Sequence, residues 1–411
     1  MKKNFQDINV SFDQITDIKN IRLAYFDFVK KFDEDIKSKK YRGVDGLTLN
    51  SLDFSSEELF KEIQAEMKSF REISPAYLVN IPKKSGKNRR IFVYPVKERI
   101  KAEAVYRVIQ PFFDRYLSDY LFSYRSSHPS YFAARSTVRR YKRYYGENYV
   151  FVTDVADYTD SIDHSVLLKK LESLGLDKGI RKLLELFIKV GVHINGNLVK
   201  ESRGIITGIP IGGVLANFFL DDFDKWAGKS VAFYRRVGDD IIAMDKDIKK
   251  INEIRSGFIE TMKSLKLSAN EDKSTIIRDI EPFKFLGYRF SDGLIGFDTG
   301  SIKRAKNKWN GDLKMIRGKD GDARIKSLVR LSRNKIISPN YEFERIMSQK
   351  ILVDDTKQIK SFSNSLISSL TSSLFGYSNS NKKHLAMGVL KSMNTDTLFK
   401  QYQQIHNRRK N

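Results

Sequence analysis

An apolar run that stops at carboxylates occurs twice in this chain, and it restricts the fold more than any other feature. NYVFVTDV (148–155) is rich in β-branched and aromatic residues and reads as a strand ending in carboxylates, with Asp154, Asp157, Asp160 and Asp163 in one cluster. VAFYRRV (231–237) and IIAM (241–244) flank Gly238, Asp239 and Asp240, a hairpin signal. Helical spacing predicts helices over 164–174, 179–190 and 247–265, and short strands follow near 274–278 and 283–290. The order strand, helix, helix, hairpin, helix, strand fits an antiparallel sheet covered by helices on one face, an α+β layer architecture.

These carboxylates stand out because the chain is otherwise basic, with 74 Lys+Arg against 50 Asp+Glu and a net charge of +24. Each cluster has a plain structural reading: Asp163 caps the helix beginning at His164, and Asp-Asp suits a turn. Taken together, Asp154, Asp239 and Asp240 supply several carboxylate oxygens at strand ends. Two hard divalent ions roughly 3.5–4 Å apart need such a set to clamp an in-line phosphoryl displacement. Electrostatic relief inside a positive protein is the competing explanation.

Apolar residues at 41% and aromatics at 12% provide for a packed core, which excludes a disordered basic tail. The charge calls for a polyanionic partner, with nucleic acid the default and a membrane surface the alternative. The chain has no cysteine, which excludes a disulfide scaffold, Cys-type zinc fingers and a thiol nucleophile. The N-terminal MKKNFQDINVS has no apolar run after its lysines and is no secretory signal. The uncharged stretch 204–220 contains glycines, Pro210 and Asn217, which suits a tight turn entering a buried helix rather than a membrane span. These features predict a soluble, cytoplasmic protein.

Elsewhere, 1–45 reads as one or two surface helices and 56–72 as an amphipathic helix. Strands at 77–81 and 91–95 flank the basic turn 83–90, and a helix over 97–117 is expected to be interrupted at Pro111. Beyond 300 the chain reads as helical. Segment 303–335 holds twelve Lys/Arg and three Asp with Trp309 among them, a density that favours tracking phosphates over a merely solvated face. Segment 361–375 reads as an amphipathic packing helix.

Several of these strings, in this order, resemble reverse transcriptases of the bacterial, group II intron-like lineage. YRGVDGLTL (41–49), IPKKSGKNRRIFVYP (81–95) and LFSYRSSHPSYFAA (121–134) resemble the segments before, in and after the fingers hairpin. DVADYTDSIDH (154–164) is similar to the first catalytic motif, and GIPIGGVLANFFLDDFD (208–224) to the template and nucleotide-floor motif. VGDD (237–240) stands where the family has Tyr-x-Asp-Asp, while LKLSANEDKS (265–274) and FKFLGYRF (283–290) resemble the Lys-bearing motif and the primer grip.

The resemblance implies a right-hand polymerase fold of the α+β class. An N-terminal helical extension would occupy 1–60, fingers with part of the palm 61–145, the palm 146–298 and a helical thumb 299–411. It implies metal-binding catalytic roles for Asp154, Asp239 and Asp240, with the Val155 carbonyl as an extra ligand, two Mg2+ ions (Mn2+ being the alternative), and Lys273 protonating the leaving pyrophosphate. Lys83, Lys84, Arg90, Tyr158, Thr159, Gly208 and Pro210 would bind the nucleotide, and Phe285, Leu286 and Gly287 would grip the primer. Lys303, Arg304, Lys306 and Lys308 would bind nucleic acid. The implied partners are an RNA template and primer or a noncoding RNA, the DNA product and dNTPs, with no membrane; a homo-oligomer is compatible.

Three departures from the family pattern mark this chain. Val237 replaces the tyrosine before the Asp pair, Thr207 and Ile211 flank the Gly208–Pro210 region where a glutamine is usual, and Thr159 stands where the family has a bulky aromatic excluding the ribose 2′-hydroxyl. Tyr158, one position earlier, could rotate into that gap. The departures lean towards the stand-alone antiphage-defence and abortive-infection relatives, with retron and intron roles as alternatives. A catalytically silent, RNA-binding splicing cofactor on the same fold is the competing function.

Overall fold

The structure is a computed structural model, described over residues 10–30, 44, 57–82, 88–205, 207–270, 274–317, 352–375 and 380–384. Lys83, Lys84, Lys273 and the basic segment beyond 317 lie outside the described residues. In chain order the elements are α1 (Phe12–Thr16), α2 (Ile18–Lys30), α3 (Glu57–Lys68), β1 (Ala76–Pro82), β2 (Asn88–Val93), α4 (Val96–Tyr116), α5 (Ser130–Arg143) and β3 (Tyr149–Asp154). Next come α6 (Tyr158–Ser161), α7 (His164–Glu172), α8 (Lys178–Ile188), β4 (Val192–Ile194), β5 (Asn197–Val199), α9 (Pro210–Phe219), α10 (Asp221–Ser230), β6 (Phe233–Val237) and β7 (Asp240–Asp245). The described elements close with α11 (Ile248–Ser264), β8 (Thr275–Arg278), β9 (Phe283–Phe285), β10 (Tyr288–Ser291), β11 (Leu294–Phe297), α12 (Thr299–Arg317) and α13 (Thr356–Phe375). Three sheets run in the orders β2-β1-β4-β5, β6-β7-β3-β8 and β11-β10-β9.

The chain divides into two compact units, Met1–Ala133 with Thr153–Ile276, and Ala134–Val152 with Ile277–Asn411. In the first unit, local chemistry sets the helix starts. Ser11 and Gln14 form a reciprocal capping box on α1, and Asp163, Asp177 and Asp247 cap α7, α8 and α11 through their carboxylates. The expected break at Pro111 does not occur: α4 runs through it. Ile109, Phe112 and Phe113 are buried around the proline, and that packing outweighs the lost backbone bond.

The hairpin β1–β2 pairs Tyr77 with Val93 through Pro82 with Asn88. It is extended by a parallel pairing of β1 with β4, which the sequence did not signal. Helix α9 is buried nearly all round, as its uncharged composition requires, with Phe218 edge-on to Phe113 of α4.

The second unit contains the β9–β10–β11 meander and the α12–α13 pair. Trp309 is a core residue of this pair, not a surface aromatic among bases: it is buried, and its Nε1 donates to the Leu366 carbonyl at 3.2 Å. Gln358 of α13 accepts from the Phe297 backbone at 2.7 Å and donates to its carbonyl at 2.9 Å, tying the helix to β11. Among the described residues no helix is long and apolar enough to cross a membrane.

Candidate active site

The β6–β7 hairpin pairs Val237 with Asp240, which leaves Gly238 and Asp239 as a two-residue loop. Gly238 has φ 65 while Asp239 is not among the positive-φ residues, the pattern of a type II′ turn, which wants glycine first. The turn leaves Asp239 and Asp240 exposed. β7 begins at Asp240, and its neighbour β3 ends at Asp154, which is half-buried with Oδ1 shielded from solvent. Burial pushes the phenol of Tyr158 well up, and the charges of Asp224 and Asp239 add to it against Arg236.

Among the described residues no group of three or more His, Asp or Glu side chains is placed so as to hold a metal ion. The donor set nevertheless fits Mg2+ in kind, because that ion takes one or two carboxylates and fills the rest of its shell with water and substrate phosphate. An open set of hard oxygens on neighbouring strands is compatible with that demand.

Beneath the turn lies a polar assembly that the sequence reading did not foresee. Arg236 and Asp224 are both fully buried and paired at 2.6 Å, with Arg236 Nε also donating to Asp224 Oδ1 at 2.8 Å. Burial alone would pull the Arg236 guanidinium down, but the Asp224 carboxylate more than offsets this and holds it raised. Tyr234 donates to Asp224 at 2.7 Å. The other face of the guanidinium points at the site: Nη1 donates to the Gly238 carbonyl at 2.9 Å and Nη2 to the Asn217 carbonyl at 2.8 Å. Gly238 N in turn donates to Ser123 Oγ at 2.9 Å. Helix α9, the strand β6 and the turn bearing Asp239 are thus joined by directional bonds. The available signal was the alternation of β6, in which Tyr234 and Arg236 share a face and a charged residue sits on the buried side.

The remaining expected residues are placed as follows. Val155 is buried and bridged to Ala269, and Asn270 N donates to the Asp154 carbonyl at 3.3 Å. Ser274 Oγ meets Thr153 Oγ at 2.7 Å, so both described flanks of 271–273 are pinned to β3. Tyr158, expected at the nucleotide, is 5% exposed with its hydroxyl bonded to the Ala216 carbonyl, a bond that rotation towards Thr159 would break. Thr159 is half-buried, and its carbonyl accepts from Ile205 N at 2.7 Å.

Gly208 has φ 105, and a Cβ there would meet the Phe92 carbonyl oxygen at 2.6 Å, so only glycine permits this approach of the chain before α9 to β2. Pro210 opens α9, where its missing N–H costs nothing. Arg90 is held by both carboxylate oxygens of Glu201 at 3.1 Å and lies over the Phe92 ring.

In the second unit, Phe285 is buried and ends β9, while Leu286 and Gly287 form the β9–β10 turn. Lys303 and Arg304 are exposed on α12, and Lys306 and Lys308 are half-buried, with Lys306 over the Phe362 ring.

A helix-covered sheet with carboxylates on neighbouring strands is the frame of a palm-type nucleotidyl-transfer domain. The family model described as reverse transcriptase (RNA-dependent DNA polymerase) matches residues 81–290, and the chain belongs to that family, with its right-hand polymerase fold. Its relatives include the putative COX1/OXI3 intron 2 protein of Saccharomyces cerevisiae, 30% identical over 52% of this chain and 24% of that protein. Protein YkfC of Escherichia coli is 27% identical over 52% of this chain and 66% of that protein. The group II intron-encoded protein LtrA of Lactococcus lactis is 24% identical over 47% of this chain and 32% of that protein. This chain therefore spans between about a quarter and two thirds of the length of these relatives. A solved telomerase from Candida albicans, in complex with a TWJ fragment of telomeric RNA, aligns at TM-score 0.45 and 16% identity over 84% of this chain and 66% of that one, a likeness too loose to carry an argument.

Proposed function

We propose that the protein is an RNA-directed DNA polymerase that extends a 3′-hydroxyl with dNTPs by two-metal nucleotidyl transfer, acting in phage defence. The observation that supports the reading is that β3, which ends at Asp154, is the sheet neighbour of β7, which begins at Asp240 beside the Asp239 turn, inside a family-matched segment. Asp154, Asp239 and Asp240 would hold the Mg2+ pair, with the Val155 carbonyl as an extra oxygen. When bound, such ions lower the pKa of the attacking hydroxyl and neutralise charge on the leaving pyrophosphate. Arg90, with Lys83 and Lys84, would hold the triphosphate once released from Glu201, since a guanidinium pairs phosphate as readily as carboxylate. Lys273 would donate a proton to the pyrophosphate. Gly208 and Pro210 would shape the floor below the base, Phe285, Leu286 and Gly287 would grip the primer, and Lys303, Arg304, Lys306 and Lys308 would track phosphates.

Thr159 leaves a smaller side chain where relatives carry an aromatic, so sugar discrimination should be weak in this protein. Fingers over 61–145, a palm over 146–298 and a thumb from 299 complete the proposed layout. The defence role rests on the motif departures at Val237, Thr207, Ile211 and Thr159.

The test supplies purified full chain with primed RNA, dNTPs and Mg2+, and sequences the product. Template-complementary DNA that requires Mg2+ supports the reading. Absence of incorporation with RNA binding intact would replace it with the RNA-binding cofactor role. Protection of phage-challenged bacteria by the wild-type gene, and not by an Asp239→Asn version, tests the defence assignment.

A further inference from the structure

Tyr124 is the most exposed large hydrophobic side chain among the described residues, at 64%, yet its backbone is among the most constrained. Its φ is 51, a left-handed conformation that a bulky residue adopts only when its surroundings force it. Both neighbours supply the force. Ser123 is buried, accepts from Gly238 N at 2.9 Å, donates to Asn217 Oδ1 at 2.9 Å and accepts at its carbonyl from Asn217 Nδ2 at 2.6 Å. Arg125 is buried and fixed to Asp114 at 2.7 Å. The preceding segment runs along β6, with Phe122 N donating to the Arg236 carbonyl at 2.8 Å and Arg236 N to the Tyr120 carbonyl at 3.0 Å. Tyr124 therefore projects outward from two anchored residues, one of which is bonded to the turn that carries Asp239.

The ring also has a floor. A Cβ on Gly213 of α9 would stand 2.6 Å from Tyr124 Cγ and 2.7 Å from Cδ1, closer than any real contact. One side of the ring thus rests on bare helix backbone while the rest faces solvent. A rigid, exposed aromatic costs little entropy to use as a contact, and nucleobases stack on such rings whatever their sequence. The chain's charge of +24 and its membership in a polymerase family select a nucleobase over an apolar peptide as the partner.

We propose that Tyr124 is a stacking platform for a nucleobase held against the floor helix, locked in register with the β6–β7 turn through Ser123. The proposal rests on the polymerase reading for its setting, but its first test needs no catalysis. Primed RNA carrying 2-aminopurine at the templating position is titrated with the full chain, and fluorescence quenching and affinity are compared for wild type, Tyr124→Phe, Tyr124→Ala and Gly213→Ala. All four proteins are first matched for thermal melting. In a second arm the KM for dNTP is measured at saturating primed RNA.

A roughly 10- to 100-fold weakening in Tyr124→Ala, with Phe near wild type, is expected. Loss of quenching and affinity without dNTP assigns the base to the template strand, whereas an unchanged template affinity with a raised KM assigns it to the incoming nucleotide. Gly213→Ala, which pushes the ring off its floor, should move the same arm in the same direction. If wild type incorporates nothing but Tyr124→Ala still loses quenching, the platform stands and the polymerase reading falls. Unchanged values in both arms for Tyr124→Ala, or a Phe variant as defective as Ala, overturn the proposal.

Discussion

The β6–β7 and β9–β10 hairpins use the same length of turn and opposite means of support. In the first, Gly238 and Asp239 sit over a network of directional bonds from Arg236, Asn217 and Ser123. In the second, Phe285 pairs with Tyr288 around Leu286 and Gly287, both at positive φ, a type I′ turn. Behind it the cross-strand partners Phe283 and Phe290 stack at 4.6 Å and 3°, and Tyr141 meets both rings edge-on. Hydrogen bonds to a buried guanidinium fix a turn in position and orientation. Stacked rings fix how tightly a hairpin packs and tolerate small shifts. The difference teaches how each turn is held: by directional bonds to a buried guanidinium at the first hairpin, by turn geometry and packed rings at the second.

The largest effect should come from Asp239→Asn. If Asp239 helps hold the ions, incorporation should fall by about three orders of magnitude or more, since metal-ion stabilisation is worth several kcal/mol. Thermal melting should stay within a few degrees because the side chain is exposed. Primer extension and a melt on the same preparation check both halves.

Arg236→Met comes next. It strands the Asp224 carboxylate in the core, which costs about 3–5 kcal/mol, whereas Arg236→Met with Asp224→Leu should recover much of that stability. The double variant should remain a poor polymerase, because the bond to the Gly238 carbonyl is gone. Urea denaturation and incorporation rates read the two effects separately. A double variant with full activity would break the distinction between the hairpins.

Thr159→Phe should sharpen it further. Filling the gap should tighten rejection of rNTPs by roughly 10- to 100-fold, or about 1–3 kcal/mol, at unchanged melting. A wild type that already excludes rNTPs as strongly as the Phe variant would assign the gate elsewhere.

The smallest effect belongs to the second hairpin. Leu286→Gly removes a left-handed leucine and should stabilise the chain by about 0.5–1 kcal/mol, measured by denaturant midpoint. A loss of stability would mean that the leucine side chain, not the turn geometry, holds that hairpin.

The elements that declared themselves in the sequence are those whose own residues decide them. β3, the β6–β7 hairpin with its Gly238 turn, and the buried helix after Gly208 were legible from period, composition and glycine. The elements that did not are set by partners distant in sequence. β4 and β5 are three residues each and exist through pairing with β1 and with one another. α4 passes Pro111 because of what packs on it, and Trp309, surrounded by lysines in sequence, points inward on its helix.

At the site, the carboxylates were visible because they interrupt apolar runs. Arg236 shares a face with Tyr234 by the alternation of β6, but no local pattern ties it to Asp224, 12 residues away, or to Ser123. The inward turn of Tyr158 likewise depends on a carbonyl 58 positions away.

The central claim is that Asp154, Asp239 and Asp240 together hold the divalent ions of a nucleotidyl-transfer centre. Manganese binding measured by electron paramagnetic resonance on the full chain, with a non-hydrolysable dNTP and primed RNA present, tests it directly. Two bound Mn2+ per chain in wild type, falling by at least one in Asp154→Asn and in Asp239→Asn, is the predicted result. Equal stoichiometry and affinity in all three proteins would contradict it.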